Sequence, residues 1–233
     1  MDKNSNLYII IYAAVLTILV AVILAVISDS LKPNQMANEL VAKKSDILRS
    51  VGVTDVDNVE EYFELNIEGL AINYAGEIID TVKAIDLDLS DQYAIADETK
   101  RVFPLYVYKT DAGSKNYIIP LEGNGLWGPI WGYVALDEDL NTIVGASFDH
   151  KTETPGLGAE IAGEKFQNTF RGKEIFDGDE FVGVVVKKGN LGDIDHQVQA
   201  ISGATITGDG VTDMIKKDLA NYLPYFEKLK NQQ

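Results

Sequence analysis

The pattern of hydrophobic and polar residues divides the chain into two unequal parts. Leu7 to Ile27 contains no charged residue and consists mainly of Ile, Val, Leu and Ala. As a helix, this segment would cover roughly 30 Å, the thickness of the hydrocarbon core of a bilayer. A secretory signal peptide would have a shorter apolar region and a small-residue cleavage site, which Ala25–Ile27 does not resemble. The pattern therefore predicts an uncleaved transmembrane helix over residues 7–27, preceded by a short terminus at residues 1–6.

Downstream of this span, the apolar pattern first indicates helices and then strands. An apolar stripe with helical spacing predicts a juxtamembrane helical segment within residues 28–52 that ends at Gly52. Asn58 is predicted to cap a second helix. From Gly76 onward, β-branched and aromatic residues predict the strands Ile78–Ile79, Val102–Tyr108, Tyr117–Leu121, Pro129–Leu136, Thr142–Phe148 and Phe181–Lys187.

Turns and the last helices complete the predicted fold. We expect turns at Asp111–Ser114 and Asp137–Asp139, a loop at His150–Ile161, a short helix at Glu164–Phe170, and a terminal helix at Gly208–Lys230 that Pro224 interrupts. Strands that follow one another through short turns pair in the antiparallel direction. Residues 28–233 are therefore predicted to form one mixed α+β domain with an antiparallel sheet.

Charge and cysteine content limit what this domain can do. The net charge is −16, and every charged residue except Asp2 and Lys3 lies in residues 28–233. Such an acidic domain is not expected to bind nucleic acid, because phosphate binding requires basic patches. The chain has no cysteine, which excludes disulfides, thiolate nucleophiles and Cys-ligated metal sites. His150 and His196 are isolated from each other, so we expect hydrogen-bonding rather than metal-binding roles for both.

A glycine-rich segment, GNGLWG at Gly123–Gly128, fits the spacing of a dinucleotide-binding fingerprint. That fingerprint requires a strand before it and a helix after it. Here the following residues, Pro129–Leu136, are predicted to be a strand, so we interpret the segment as the turn of a hairpin. Its glycines would let the backbone turn beside Trp127 and Trp131.

The segment ISGATIT, which precedes the terminal helix, is open to three interpretations. It contains Ser202, Gly203, Ala204, Thr205 and Thr207. Thr207 could cap the helix and stabilise it by about 1 kcal/mol without any further role. Ser202 or Thr205 could be a hydrolase nucleophile, but the nucleophile elbow that such a residue requires is missing from the sequence. The segment could also hold a phosphate, because helix N-terminal amides bind anions and small residues admit a bulky group.

Several motifs resemble one known family. S-G-A-T is the core of the motif at which a flavin transferase attaches FMN to threonine. Together with LKPNQ (Leu31–Gln35), GLWGPIWGYVAL (Gly125–Leu136) and TETPGLGAEI (Thr152–Ile161), it resembles the C subunit of Na⁺-translocating NADH:quinone oxidoreductases. The related alternative is the G subunit of the Rnf electron-transport complex. A third alternative is a membrane-anchored binding domain without catalytic function, in which S-G-A-T is only a cap.

The resemblance to the C subunit implies a location and a function. It implies an FMN-binding domain in the periplasm, held in the bacterial inner membrane by one helix, with residues 1–6 in the cytoplasm. The Lys and Arg count alone would place the domain in the cytoplasm, but such counts have little influence on long domains. The implied function is a single-electron relay between a membrane iron–sulfur centre and the flavin of the B subunit, within Na⁺-pumping electron flow from NADH to quinone. The implied partners are the B, D and E subunits, with A and F, and the flavin transferase.

The resemblance also assigns roles to individual residues. It marks Thr205 as the residue that carries FMN through a phosphoester, with Ser202, Gly203, Ala204 and Thr207 as its neighbours. The glycine-rich loop with Thr154, Gly156 and Leu157, and the hairpin at Trp127–Trp131, are expected to lie close to the flavin. One position departs from the motif, because Gln199 stands where the family has Asp.

Overall fold

The computed structural model describes residues 6–110 and 113–231. Its helices are α1 Asn6–Ser50, α2 Val59–Asn66, α3 Leu89–Ala94, α4 Glu164–Gln167, α5 Thr205–Ala220 and α6 Leu223–Lys230. Its strands are β1 Ile67–Asn73, β2 Val102–Lys109, β3 Lys115–Asn124, β4 Pro129–Leu136, β5 Ile143–His150, β6 Phe176–Asp177, β7 Glu180–Phe181, β8 Val185–Lys187 and β9 Gln197–Gln199. Short 3₁₀ turns lie at Ala84–Asp86, Glu98–Lys100, Gly158–Ala162 and Asn168–Phe170. The chain separates into two units after Lys43.

The first unit contains the apolar part of α1. This helix is long and apolar enough to cross a membrane, and no residue in its most apolar stretch is buried. The helix continues through Pro33 to Ser50, so the predicted span and the predicted juxtamembrane helix form one element. Gly52 follows in the left-handed region with a φ of 81°, and its N–H closes the turn on Arg49 O at 2.9 Å. Glycine adopts this conformation without strain, which explains why the helix ends here.

The second unit is built on a five-stranded antiparallel sheet in the order β1-β2-β3-β4-β5. Because side chains alternate along a strand, each strand contributes to two apolar clusters on opposite faces. In β3, Tyr117 and Ile119 belong to one cluster, whereas Ile118 belongs to the other. The first cluster includes Val211, Met214 and other residues of α5, and the second includes residues of α2. The predicted α+β class with an antiparallel sheet is confirmed.

Close packing of α5 on the sheet depends on glycine. A Cβ atom on Gly210 would lie 2.2 Å from the carbonyl oxygen of Asn124 at the end of β3, and one on Gly123 would lie 2.9 Å from Met214 Cβ. Neither position can hold a side chain without moving the helix away from the strand. This packing brings the first turn of α5 to the end of the β3–β4 hairpin.

Several predicted elements are confirmed. Asn58 caps α2, because its side chain accepts a hydrogen bond from Glu61 N at 3.2 Å. The strands from Val102 to Phe148, the short helix and the interruption before Pro224 are present. The hairpin at Gly123–Gly128 joins β3 to β4, which confirms that no helix follows it. The predicted turn at Asp111–Ser114 begins with two residues that lie outside the described ranges.

The errors fall where the pattern is short or interrupted. The strand predicted at Ile78–Ile79 is wrong, since only an isolated bridge joins Ile78 to Ile72. The strands β1, β6 and β9 and the short helix α3 were not predicted, and β1 comes directly after α2. The segment Phe181–Lys187 forms two short strands because Gly183, with a φ of 66°, breaks the extended chain.

Candidate functional site

A cleft of ≈ 210 Å³ lies at the beginning of α5. Three segments that are distant in the sequence line it: the β3–β4 turn, the loop after β5 and the first turn of α5. The lining residues are Leu126, Trp127, Glu153, Thr154, Leu157, Gly158, Gly203, Ala204, Thr205, Ile206 and Thr207. The structure therefore brings together the predicted hairpin, loop and ISGATIT segments at one place.

The rim of the cleft is apolar and exposed. Trp127 is 65% exposed, and Leu126, Leu157 and Ile206 are also exposed. A single exposed apolar side chain is ordinary, but four around one cleft are typical of a binding surface. The grouping indicates a ligand or partner with an apolar part.

One buried carboxylate, that of Glu153, joins the three segments. Its Oε1 accepts a hydrogen bond from Trp127 N–H at 2.7 Å, and its Oε2 accepts one from the Thr207 hydroxyl at 2.8 Å. The residue is only 5% exposed. The hydroxyl of the adjacent loop residue Thr152 donates to Trp127 O at 2.9 Å, which is a second hydrogen bond between the loop and the hairpin turn. The sequence did not indicate a role for Glu153, because both partners are remote in the chain.

The loop and the ISGATIT segment meet through glycine. Gly203 has a φ of 79°, and a Cβ atom there would lie 2.7 Å from Leu157 Cδ2. A side chain at this position would be strained and would also push against Leu157. Gly203 therefore lets the chain pass under Leu157 immediately before α5 begins.

The helix begins earlier than the sequence indicated. Its first residue is Thr205, its N-cap is Ala204 without a side-chain cap, and the first intrahelical bond runs from Gly208 N to Ala204 O at 2.9 Å. The interpretation in which Thr207 caps the helix is wrong, because Thr207 lies inside α5 and donates its hydroxyl to Glu153. The first turn of α5, whose backbone N–H groups have no partner within the helix, lines the cleft.

Thr205 and its neighbours differ in accessibility. Thr205 is exposed at the first position of α5, and no hydrogen bond involves its hydroxyl within residues 6–110 and 113–231. Thr207 is buried. Ser202 is exposed but does not line the cleft. Of the three hydroxyl-bearing residues in this segment, only Thr205 thus combines exposure with a place in the cleft wall.

The remaining predicted residues are divided between the cleft and its surroundings. Thr154 and Leu157 line the cleft, whereas Gly156 lies outside its lining. Gly156 shapes the loop, with a φ of 77° and an N–H that donates to Glu160 Oε1 at 3.0 Å. Trp131 is not part of the lining either, and it pairs with Glu122 and Asp149 within the sheet.

The position that departs from the flavin-attachment motif lies at the end of a strand. Gln199 ends β9 and is exposed, and its side-chain amide donates to Lys187 O at 3.4 Å. The two histidines have hydrogen-bonding roles, as expected. His196 Nδ1 lies 2.9 Å from Asp193 Oδ2, and His150 Nδ1 accepts from Glu153 N at 3.3 Å. Among the described residues, no group of acidic and histidine side chains forms a metal site.

Residues 125–220, which include the whole cleft, match the FMN-binding domain family. An α+β domain with this cleft and this match defines a flavin-binding domain carried on an apolar N-terminal helix. The C subunit of the Na(+)-translocating NADH-quinone reductase of Neisseria meningitidis serogroup B is 32% identical, over 99% of this chain and 96% of the relative. The chain therefore belongs to the family of the C subunit of the Na(+)-translocating NADH-quinone reductase.

Solved structures of this family have the same fold. The C-subunit structure from Parabacteroides distasonis has a TM-score of 0.77 and 38% identity, covering 84% of this chain and 96% of its own. The NqrC structure from Shewanella oneidensis has a TM-score of 0.72 and 28% identity, covering 84% and 99%. These relatives favour the resemblance to the C subunit over the G subunit of the Rnf complex and over a binding domain without redox function.

The residues around Thr205 fit a flavin mononucleotide. The apolar rim suits a planar aromatic ring, and the first amides of α5, with their partial positive charge, suit a phosphate. Gly203 and Ala204 leave the approach to Thr205 free of large side chains. The cleft therefore offers different chemistry for the two ends of the same ligand.

Proposed function

We propose that this protein is a membrane-anchored electron-transfer subunit that carries FMN in the cleft at Thr205. The observation that carries the proposal is the cleft itself, in which an accessible threonine, a helix N-terminus and an apolar rim adjoin in a chain of the C-subunit family. Bound FMN would supply the one-electron chemistry. The protein would supply the attachment point, the orientation of the ring and the electrostatic surroundings.

The proposed attachment is a phosphoester between the FMN phosphate and Thr205 Oγ1. Two features support Thr205 over the nearby hydroxyls. Thr207 is 1% exposed and donates its hydroxyl to Glu153, so it is closed to modification. Ser202 is exposed but stands outside the cleft lining. A phosphate on Thr205 would lie at the first turn of α5, where the helix carries about half a unit of positive charge.

The ring of the flavin is proposed to lie along the apolar rim. Leu157 and Thr154 would contact it from the loop, and Leu126 and Trp127 from the hairpin turn, because these side chains face the same cleft as Thr205. Gly156 would act indirectly by shaping the loop. The prediction for this loop stays open to test: Leu157→Ala should change the flavin spectrum or its potential.

The cellular setting follows from the family and from α1. We propose a single-pass anchor in the bacterial inner membrane, with residues 1–6 in the cytoplasm and the domain in the periplasm. There the protein would relay single electrons in Na⁺-pumping electron flow from NADH to quinone, alongside the B, D and E subunits, with A and F. A flavin transferase would load the FMN. Gln199, in place of the usual Asp, would lie in the segment that this transferase recognises.

The decisive experiment is the replacement of Thr205 by valine. The full-length chain is produced in a strain that contains the flavin transferase, and the denatured protein band is examined for flavin fluorescence. Wild type should fluoresce, and Thr205→Val should not, because valine has nearly the same shape but lacks the oxygen. Peptide mass spectrometry should place the FMN mass on the fragment that contains Thr205.

The matched controls are Ser202→Ala and Thr207→Val, which should retain at least part of the flavin. Flavin on a fragment without Thr205, or persisting in Thr205→Val, would contradict the assignment. A colourless wild-type protein would favour the binding domain without redox function. Gln199→Asp should increase the modified fraction if the missing acid limits the transferase.

Topology has its own test. Protease added to intact spheroplasts should digest the domain and leave the anchor in the membrane. Protection of the domain under these conditions, with digestion after lysis, would place it in the cytoplasm instead.

A further inference from the structure

The buried carboxylate of Glu153 is a negative charge in the wall of the cleft beside Thr205. Its side chain is more than nine-tenths buried, with 5% exposure. Within residues 6–110 and 113–231, no ion pair includes Glu153. A buried carboxylate without a cation is costly, because it loses hydration and gains only the partial positive charge at the N-terminus of α5. Holding two segments together does not by itself explain why a charged group occupies this place.

The surroundings of Glu153 are shaped to fit its carboxylate group. A Cβ atom on Gly158 would lie 2.1 Å from Oε2, and one on Gly125 would lie 2.5 Å from Oε1, so two glycines make room for the two oxygens. Both hydrogen-bond donors, Trp127 N–H and the Thr207 hydroxyl, are neutral. A glutamine could occupy the same space without the cost of a buried charge. The fit and the hydrogen bonds therefore do not explain why this residue is a glutamate and not a glutamine.

We propose that Glu153 is a positioning residue whose fixed negative charge lowers the reduction potential of the flavin in this cleft. The proposal rests on the proposed function, since it concerns the same site. Each electron that arrives without a proton adds negative charge to the flavin. A carboxylate held in the same partly buried cleft opposes that addition, because charges there are screened less than in water. The chain would thus tune the electron affinity of its cofactor through one buried side chain.

The test compares Glu153→Gln with Glu160→Gln in the flavin-loaded, full-length protein. Glutamine keeps the shape and much of the hydrogen-bonding capacity of Glu153 but removes its charge. We expect the equilibrium constant for adding one electron to rise about tenfold, which corresponds to about 59 mV for a one-electron step. The measurement is a spectroelectrochemical titration with mediator dyes, which reads the flavin spectrum directly and does not depend on turnover.

Glu160→Gln is the matched control. It removes the same charge from the same loop, but Glu160 is exposed, and its contact from Gly156 N–H at 3.0 Å can be kept by the amide oxygen. Solvent and salt screen an exposed charge, so its removal should change the equilibrium constant less than about threefold. An unshifted Glu153→Gln, or equal shifts in the two variants, would overturn the proposal.

Two further outcomes keep the test decisive. If Glu153→Gln takes up no flavin, Glu153→Asp is used, which keeps the charge on a shorter side chain. Its equilibrium constant should stay within about threefold of wild type, and a departure of about tenfold would overturn the proposal. A wild-type protein without covalent flavin would contradict the proposed function itself, whereas an unshifted potential in loaded Glu153→Gln contradicts only the role of Glu153.

Discussion

Two buried carboxylates hold α5 in place near its opposite ends, that of Glu153 from the loop and that of Asp218 from the helix itself. Each accepts two hydrogen bonds, and we call each such arrangement a bracket. Near the beginning of the helix, Glu153 accepts a backbone N–H from the β3–β4 hairpin and a hydroxyl from Thr207. Near the end, Asp218 accepts the backbone N–H of Glu122 in β3 at 2.6 Å and the hydroxyl of Tyr93. The Glu153 bracket joins the hairpin to the first turn of α5, whereas the Asp218 bracket joins the end of α5 to β3 and to α3.

The two brackets differ in what surrounds the charge. Asp218 is fully buried, and Lys217 Nζ lies 3.3 Å from its Oδ1. Lys217 also lies over the Tyr93 ring, and Asn221 donates to the Tyr93 hydroxyl at 2.8 Å, so the bracket is closed by further partners. Glu153 has no ion pair among the described residues and faces a cleft. The charge next to the cleft, and not the bracket, therefore distinguishes the functional end of α5.

The largest expected effect is a loss of stability at the closed bracket, that of Asp218. Asp218→Ala leaves the Tyr93 hydroxyl and the Glu122 N–H without their buried acceptor, so we expect a loss of about 2–4 kcal/mol in the free energy of unfolding. Urea unfolding followed by circular dichroism measures it. Asp213→Ala, at a less buried position of the same helix, should change stability by less than about 0.5 kcal/mol. Similar losses in both variants would mean that Asp218 is not a specific bracket.

At the Glu153 bracket, which is open to the cleft, the corresponding change is Thr207→Val. It removes one of the two donors to Glu153 and leaves a buried carboxylate oxygen unpaired, which should cost about 1–3 kcal/mol. Thr207→Ser keeps the hydroxyl and should recover most of that loss. Thermal or urea unfolding distinguishes the two. If valine is no more destabilised than serine, the hydrogen bond to Glu153 contributes no more to stability than the methyl group of Thr207 does.

The brackets also show what the sequence could and could not predict. Apolar spacing predicted α1, the central strands and the hairpin, because those signals are local. The first strand was missed because Glu68 and Gly69 interrupt its apolar pattern directly after a helix. The partners of Glu153 are 26 and 54 residues away in the chain, and no local pattern carries such a contact. Thr205 was singled out by its motif, and its role as the attachment point stays a prediction. The interpretation in which Thr207 caps the helix failed because Thr207 donates its hydroxyl to the distant Glu153.

A smaller change is expected from two glycines beside the open bracket. Gly203→Ala and Gly156→Ala both place alanine in the left-handed region, with φ values of 79° and 77°. Only at Gly203 does the new Cβ meet a neighbour, Leu157 Cδ2 at 2.7 Å, while nothing lies near it at Gly156. We expect losses of about 1–2 kcal/mol and about 1 kcal/mol respectively. Equal losses in unfolding experiments would show that Leu157 moves aside without cost.

The smallest expected change is a pH dependence of stability that arises from the buried carboxylate of Asp218. Burial raises the pKa of Asp218 above its usual value, and the hydrogen bonds from Tyr93 and the Glu122 N–H offset this only in part. The folded state therefore binds a proton more readily than the unfolded state, so ionisation of Asp218 reduces stability as pH rises from about 4.

Asp218→Asn removes this titration, and the wild type should gain stability relative to it as pH is lowered toward about 4. The pKa of Glu122 is also raised, by burial and then by Asp88, and the charge of Asp218 adds to that rise. Glu122 therefore contributes to the pH dependence of stability in the same direction as Asp218. The measurement is the difference in urea midpoints between wild type and Asp218→Asn across the range from about pH 4 to about pH 7. A difference that stays constant, or that moves in the opposite direction, would show that the closed bracket holds its carboxylate without an electrostatic cost, and the contrast with Glu153 would then lie in the cleft alone.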